Sequence, residues 1–274
     1  MVEARTEERP AGRRAWRRPV AALALAGAVL TGAAACGDGA GDGGKGGGSA
    51  RTDGRASGAA PGPSGASTAS GASGGTGALT LRDLTALAFT DGERMGKYAA
   101  AEMILGTPID EDYTADPAVC QPFVSLTEGA TAFDPVSEVN REVSAVEDMW
   151  GGTMVDVQLR SYDGDEAASV MKAIGAAEKA CAGGFVEERA LAEGQYLKAE
   201  PVPAPDVGDE ARAYRFTILD VKGRLKLYEY LTVVRSGPTT LSFRAETLDT
   251  KDFGGVPDEV VAAQWKKFEA AATD

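Results

Sequence analysis

The chain has 274 residues and a formal net charge of −13, and it contains three cysteines and no histidine. The absence of histidine excludes Ser-His-Asp and Cys-His nucleophile activation and imidazole metal ligation. Three cysteines are too few for a thiolate zinc site, and an acidic surface repels phosphate backbones. We therefore predict no cofactor, no metal site and no nucleic-acid partner.

The N-terminus has the order of segments that is typical of an export signal. A basic region rich in arginine precedes an apolar run over residues 20–30, and small residues then lead to Cys36. This order predicts a signal peptide over residues 1–35. The apolar run is shorter than the roughly 20 residues of a membrane-spanning helix, which makes a permanent span the less favoured interpretation. The paired arginines also permit twin-arginine export.

The residues Ala33-Ala34-Ala35-Cys36 resemble a lipobox, although Ala33 stands where that pattern usually has leucine. The resemblance implies cleavage before Cys36 and a lipid on its sulfur, which would attach the protein to the outer face of the cell membrane. Two acyl chains form a stable anchor, whereas one chain binds reversibly. The alternative is an ordinary signal-peptidase site, which would cut the same bond and release a soluble protein.

Residues 36–78 contain the lipidated cysteine and a linker of Gly, Ser, Ala, Thr and Pro with a few charges. No aliphatic residue larger than alanine occurs there, so the segment is predicted to be disordered. Cleavage would remove six Arg and three Glu, which leaves the mature chain near −16. Residues 79–274 then form a single folded domain.

The first half of this domain carries two helix starts. Residues 80–83 have the pattern of a capping box before an apolar helix, and Asp91-Gly92 predicts its end. A strand is predicted over residues 97–104. Asp116-Pro117 predicts a second helix that carries Cys120.

The middle of the domain predicts a strand followed by a helix. Apolar and polar residues alternate over residues 153–162, as in a half-buried strand. Helical spacing over residues 165–181 predicts a buried stripe of Ala167, Val170, Met171, Ile174, Ala177 and Cys181, and Gly183-Gly184 ends the helix.

The C-terminal third predicts antiparallel strands near residues 214–218, 224–235 and 241–245. A last helix begins near Pro257 and buries Val261, Trp265 and Phe268. The predicted fold class is α+β, an antiparallel β-sheet with packed helices. Cys120 and Cys181 are the thiols that remain after lipidation in an oxidising compartment, so we predict a disulfide between them.

Several short phrases of the domain carry a family resemblance. They are Val119-Cys-Gln-Pro122, Leu-Arg-Ser-Tyr162, Ala-Cys-Ala-Gly-Gly-Phe185 and Val-Gly-Asp-Glu-Ala211. Their order resembles actinobacterial lipoproteins related to the PknH-like extracellular sensor domain of serine/threonine kinases. The resemblance implies an α+β domain that binds an unidentified ligand in a polar cleft and has no enzymatic activity. The kinase-linked members look as though they use two disulfides, whereas this chain has cysteines for one and no kinase domain.

The candidate ligand-binding residues are Trp150, Arg160, Tyr162 and Asp163, because residues at the ends of strands often line a cleft. In the alternative interpretation Asp163 or Asp165 caps the following helix and Trp150 belongs to the core. No pair of carboxylates is singled out for glycosidase chemistry.

Two further groups have a functional and a structural interpretation. Residues 110–112 are acidic and could contact a cation, or they form a solvated loop without calcium-loop spacing. Tyr228 and Tyr230 could form a binding platform or an aromatic packing pair.

The sequence thus predicts a lipid-anchored extracytoplasmic protein with a non-enzymatic sensor-like or ligand-binding domain. Its predicted partners are the membrane, through lipid on Cys36, and an unknown small molecule or envelope ligand. The alternative is a cell-envelope protein-interaction or structural lipoprotein.

Overall fold

The structure is a computed structural model, and it describes residues 77–104, 106–108, 112–127, 129–147, 152–189 and 191–272. The predicted signal peptide, Cys36 and nearly all of the predicted linker lie outside these residues. Asp110, Glu111 and Trp150 also lie outside them.

The described residues form one ten-stranded sheet in which every neighbouring pair is antiparallel. The strands are β1 (Arg94–Met95), β2 (Tyr98–Glu102), β3 (Thr114–Asp116), β4 (Ser137–Ala145), β5 (Met154–Ser161), β6 (Phe185–Glu188), β7 (Glu193–Val202), β8 (Glu210–Leu219), β9 (Lys226–Ser236) and β10 (Thr239–Glu246). Their order across the sheet is β1-β2-β4-β5-β10-β9-β8-β7-β6-β3.

Helices pack on both faces of this sheet. They are α1 (Leu81–Leu87), α2 (Gln121–Val124), α3 (Glu166–Cys181) and α4 (Asp258–Ala272), and a 3-10 helix (Ala118–Cys120) leads into α2. Strand β9 separates the two faces, because its side chains alternate. Tyr230 and Val234 pack with α1 and α4, whereas Leu231 and Val233 pack with α2 and α3. We call these the α4 face and the α3 face. The predicted α+β architecture is confirmed.

On the α4 face, Gln264 joins the two helices. Its side-chain amide donates to the Leu87 carbonyl at 2.7 Å, and its carbonyl accepts from the Phe89 backbone at 3.1 Å. These bonds satisfy backbone groups that the end of α1 would otherwise leave unpaired. Thr80 caps the start of α1, as the capping-box pattern predicts, by accepting from the Asp83 backbone at 3.3 Å. Val261 and Phe268 are buried as predicted, whereas Trp265 is only partly buried.

On the α3 face, the predicted buried stripe of α3 is confirmed at all six positions. The predicted disulfide is also confirmed: Cys120 and Cys181 are bonded and fully buried, and their sequence separation is 61 residues. Phe123 of α2 lies next to this bridge and packs at 4.8 Å from the ring of Tyr214 and 5.1 Å from that of Phe216. The bridge therefore fastens α2 to the core beneath α3.

The helix start predicted at Asp116-Pro117 is confirmed. Asp116 ends strand β3, Pro117 precedes the 3-10 helix, and α2 follows it as a single turn. The Gln121 side chain accepts from the Ala115 backbone at 2.8 Å and donates to the Tyr113 carbonyl at 2.9 Å. These bonds hold the preceding segment extended, where it pairs with β6.

The chain enters the domain at one end of the sheet. The Leu79 backbone donates to the Ser161 hydroxyl at 2.8 Å, and the Ser137 hydroxyl donates to the Leu79 carbonyl at 2.8 Å. Ser137 begins β4 and Ser161 ends β5. We call this the entry end of the sheet and the opposite end the distal end.

Candidate functional site

A cavity of about 620 Å³ lies on the α3 face, over strands β4, β5, β10 and β9, and we call it the cleft. Its volume falls in the range of roughly 300–1,000 Å³ that is typical of small-ligand sites. The lining combines charged groups with apolar ones, and consists of Met103, Ile104, Thr107, Pro108, Tyr113, Glu142, Met154, Asp156, Glu187, Arg189, Glu229, Arg244 and Glu246.

The floor of the cleft consists of charged side chains that the strand register brings together. Glu142 of β4 lies opposite Asp156 of β5, and Asp156 lies opposite Arg244 of β10. Two residues further along β10, Glu246 lies opposite Glu229 of β9. The floor therefore contains two pairs of like charges directly across from each other, an arrangement that is unfavourable within a sheet.

One wall of the cleft is a buried network around Tyr196. Its hydroxyl lies 3.0 Å from a carboxylate oxygen of Glu187 and 3.1 Å from one of Glu229, and it can donate its proton to either. Arg189 pairs with Glu187, and Arg244 pairs with Glu229. Two cations thus neutralise the two carboxylates.

This network changes the acidity of its members. Burial, followed by the negative charges of Glu229 and Glu187, raises the pKa of Tyr196 well above its ordinary value, so the hydroxyl keeps its proton. Burial alone would lower the pKa of Arg189, but the Glu187 carboxylate beside it outweighs that effect and raises it. The wall therefore contains permanently charged guanidinium groups and a neutral phenol.

Arg244 also joins the floor of the cleft to α2. Its guanidinium donates to the Phe123 carbonyl at 2.6 Å and to the Val124 carbonyl at 2.9 Å. These belong to the last residues of α2, whose carbonyls have no partner within the helix. Cys120 directly precedes α2 and is bonded to Cys181. The disulfide is therefore connected to the cleft through α2 and Arg244.

The opposite side of the cleft has an apolar lip. It consists of Met103, Ile104 and Pro108 from the connection after β2, together with Met154 at the start of β5. Asn140 of β4 holds this connection over the sheet by donating to the Gly106 carbonyl at 3.1 Å. Ile104 is fully exposed, so the lip faces solvent with apolar surface.

Within the residues that the structure describes, no group of three or more His, Cys, Asp or Glu side chains is arranged to hold a metal ion. In the same part of the chain, no helix combines the length and apolar character needed to cross a membrane.

The predicted ligand-binding residues lie elsewhere on the sheet. Arg160 is fully buried and donates to Glu138 at 2.6 Å, and Tyr162 is fully buried against α3. Asp163 is exposed at the start of the turn that leads into α3. None of the three lines the cleft. Ligand contact by these residues and by Trp150 stays a prediction, and the alternative in which the Asp165 side chain caps α3 is not observed.

The two tyrosines of β9 pack on the α4 face. Tyr230 is buried, bonds to Asp252 and lies 4.9 Å from the ring of Phe253. Tyr228 is partly buried, with the Arg215 guanidinium 6.0 Å from its ring. These contacts favour the aromatic-packing interpretation. Asp112, the described member of the acidic loop, is exposed.

The residues of the cleft carried little sequence signal. Glu142 and Asp156 alternate with buried apolar residues, a pattern that is equally typical of a solvent-facing strand. Glu187 and Tyr196 lie on β6 and β7, strands that the sequence did not predict. Only the pairing of strands that are distant in sequence, from β4 across the sheet to β6, brings these groups together.

Two solved structures are similar to this chain. The extracellular domain of PknH from Mycobacterium tuberculosis matches with a TM-score of 0.48 and 11% identity, over 73% of this chain and 100% of that one. A putative uncharacterized protein from Mycobacterium smegmatis, the Rv0999 ortholog, matches with a TM-score of 0.29 and 14% identity, over 65% of this chain and 88% of that one. No family model and no curated protein matches the chain. Membership of the PknH-like family therefore stays a prediction.

Proposed function

We propose that this chain is a lipid-anchored extracytoplasmic protein whose folded part is a non-enzymatic, sensor-like domain that binds a small ligand in the cleft. The observation that carries the proposal is the cleft itself, which combines a ligand-sized volume with convergent charged groups and an apolar lip. The PknH-like resemblance of the sequence phrases is in accord with this function.

The position of the cleft suits a tethered receptor. Met154 and Glu246, which line it, begin β5 and end β10, and both residues belong to the distal end of the sheet. The chain enters the domain at the entry end, at Leu79. A flexible chain of 42 residues, the length of the predicted linker, has an end-to-end distance of roughly 35 Å, which would let the domain reach ligands at that distance from the lipid anchor.

The proposed binding site is tested by closing it. A chemically diverse set of small molecules is screened by thermal shift against the wild-type chain and against Met154→Trp, which places bulk at the lip. Val146→Trp is the matched control, since Val146 and Met154 are each 40% exposed and Val146 does not line the cleft. We expect ligands that stabilise the wild type and Val146→Trp but not Met154→Trp. The absence of any such ligand would overturn the site.

The proposed anchor is tested by metabolic labelling with a lipid probe on the wild type and on Cys36→Ala. We expect label and membrane association in the wild type, and neither in the variant. Unlabelled wild-type protein in the medium would show that Cys36 is not lipidated, and the ligand-binding proposal would then apply to a released protein.

A second candidate function, an envelope protein-interaction module, is favoured by the distal end of the sheet. Six large apolar side chains are exposed in or next to the strand ends and turns there: Val146, Met154, Leu191, Val221, Leu225 and Leu248. A contiguous apolar surface is typical of interaction sites, and these side chains lie along one end of the sheet. A variant with Leu191, Val221 and Leu248 replaced by serine should lose cross-linked partners in whole cells and retain ligands of the cleft. Unchanged cross-linking would exclude this surface.

A further inference from the structure

The charged groups around the cleft are unbalanced. Among the described residues, five carboxylates line it, against two guanidinium groups, which leaves a formal charge of −3. We propose that the cleft binds a small organic cation, an alkyl amine whose ammonium group lies over the floor carboxylates and whose aliphatic part packs against the lip. This inference rests on the proposed function and names the chemical class of its ligand.

Both cations of the cleft are already bound within the protein. Arg244 pairs with Glu229 and donates to two carbonyl groups of α2. Arg189 pairs with Glu187 and lies 5.4 Å from the ring of Tyr113. An anionic ligand would have to displace these contacts, and breaking a buried ion pair leaves an uncompensated charge. The cleft is therefore poorly suited to carboxylates and phosphates.

The arrangement of charges across the floor strands favours a cationic ligand. Glu142 and Asp156 lie directly opposite each other on β4 and β5, and Arg244 is opposite only the second of them. Glu246 lies beside this pair, opposite Glu229, which already pairs with Arg244. Like charges in cross-strand pairs destabilise a sheet, and a cation over Glu142 and Asp156 reduces that cost in addition to making its own contacts. An ammonium group, with three donors, suits several carboxylate oxygens at once.

The lip distinguishes an organic cation from a hydrated metal ion. Met103, Ile104 and Met154 present aliphatic surface beside the carboxylates, and Ile104 is fully exposed. Covering such surface stabilises a complex by about 25 cal/mol per Å². A metal ion with its water shell gains nothing from this surface, whereas the methylene chain of an amine covers it. The lip and the floor together thus match a molecule with one cationic and one aliphatic part.

The test uses three molecules with the same five-carbon chain and one polar end: pentylamine, 1-pentanol and pentanoate. Binding to the full-length chain is measured by calorimetry at constant ionic strength. We expect pentylamine to bind at least tenfold more tightly than the alcohol or the acid. Glu142→Gln should weaken pentylamine about tenfold without unfolding the domain, because it removes one member of a like-charge pair. Met154→Trp should also weaken it.

The control for general attraction to an acidic protein is Asp206→Asn, which makes the same charge change at an exposed residue outside the cleft. Equal effects of Glu142→Gln and Asp206→Asn would overturn the proposal. So would Mg²⁺ that displaces pentylamine with the same dependence on Glu142, since the site would then prefer an inorganic cation. Binding of the alcohol or the acid that Met154→Trp abolishes would overturn the cation preference and leave the proposed function intact. If none of the three molecules binds, the cation proposal fails, and the wider screen decides the proposed function separately.

Discussion

Glu187 and Glu229, which lie on strands that are not neighbours in the sheet, reach the same hydroxyl group. Their carboxylate oxygens lie 3.0 and 3.1 Å from the Tyr196 oxygen, although β6 and β9 are separated by β7 and β8. A phenol has one proton, so it satisfies one carboxylate at a time. The two guanidinium groups that pair with Glu187 and Glu229 make this arrangement tolerable in a buried position.

The first prediction concerns this hydroxyl. Tyr196→Phe removes the donor and leaves two buried carboxylates without it, which should lower the free energy of unfolding by about 1–3 kcal/mol. Urea unfolding followed by circular dichroism measures the change. Tyr98→Phe is the control, because Tyr98 is also buried and the described residues provide no hydrogen bond to its hydroxyl. A Tyr196→Phe variant as stable as Tyr98→Phe would show that the shared proton contributes nothing.

The parts of the fold that could be predicted have a local pattern. The stripe of α3 repeats at helical spacing over 16 residues, and each member is buried as expected. The Thr80 cap likewise depends on a neighbouring residue, Asp83, whose backbone donates to it. Such features can be predicted because the physical cause lies within a few residues of its effect.

The cleft could not be predicted, because its causes are distant in sequence. Strand β4 buries Val139 and Val143 with polar residues between them, and nothing in that pattern says which strand is its neighbour. Arg244 acquires its role only when β10 lies between β5 and β9. Pairings between strands that are far apart in the sequence determine the site. The local residue pattern of a single sequence does not reveal which strands pair.

The second prediction concerns Gly184, which lies between α3 and β6 with a φ of +101°. A Cβ atom there would lie 2.2 Å from the Tyr196 carbonyl oxygen, so the backbone of β7 would have to move. Gly184→Ala should destabilise the domain by about 4 kcal/mol or prevent folding. Gly164→Ala is the control, since Gly164 also has a positive φ, of +50°, but no atom within 4 Å of the added Cβ. That variant should cost only about 1–2 kcal/mol.

Soluble expression and urea unfolding of the two glycine variants provide the measurement. Equal stabilities would mean that β7 does not approach Gly184 closely, and the position of β7 against β6 would need revision.

The third prediction concerns alkaline pH. Burial is the largest cause of a raised pKa at Tyr162, Tyr196, Tyr214 and Tyr230, and for Tyr230 the value rises to about 12. A tyrosine in the unfolded chain ionises near pH 10. Because the folded state holds these protons more tightly, their contribution to stability is complete below pH 10 and is lost as the pH rises above it. The free energy of unfolding should therefore fall steeply above pH 10.

Absorbance at 295 nm, which reports tyrosinate, and near-UV circular dichroism are recorded together in an alkaline titration. We expect part of the absorbance of the seven tyrosines to appear only as the dichroism signal is lost. In concentrated guanidinium chloride all seven should titrate together near pH 10. Complete titration near pH 10 in a domain that keeps its near-UV signal would contradict the buried positions of these side chains.

The last prediction concerns the disulfide. The bridge between Cys120 and Cys181 closes a sequence separation of 61 residues, and both cysteines are fully buried. By the loop-entropy model, closing a loop of that length stabilises the folded state by about 4 kcal/mol. The double variant Cys120→Ala/Cys181→Ala should lose a similar amount, seen as a lower urea midpoint. Reductant should lower the midpoint of the wild type toward that of the variant and leave the variant unchanged.

The same variant should also bind ligands of the cleft more weakly, because the bridge holds α2, whose carbonyl groups accept from Arg244. Equal urea midpoints for the oxidised wild type and the double variant would contradict the stabilising role, and unchanged ligand affinity would show that the cleft keeps its shape without the bridge.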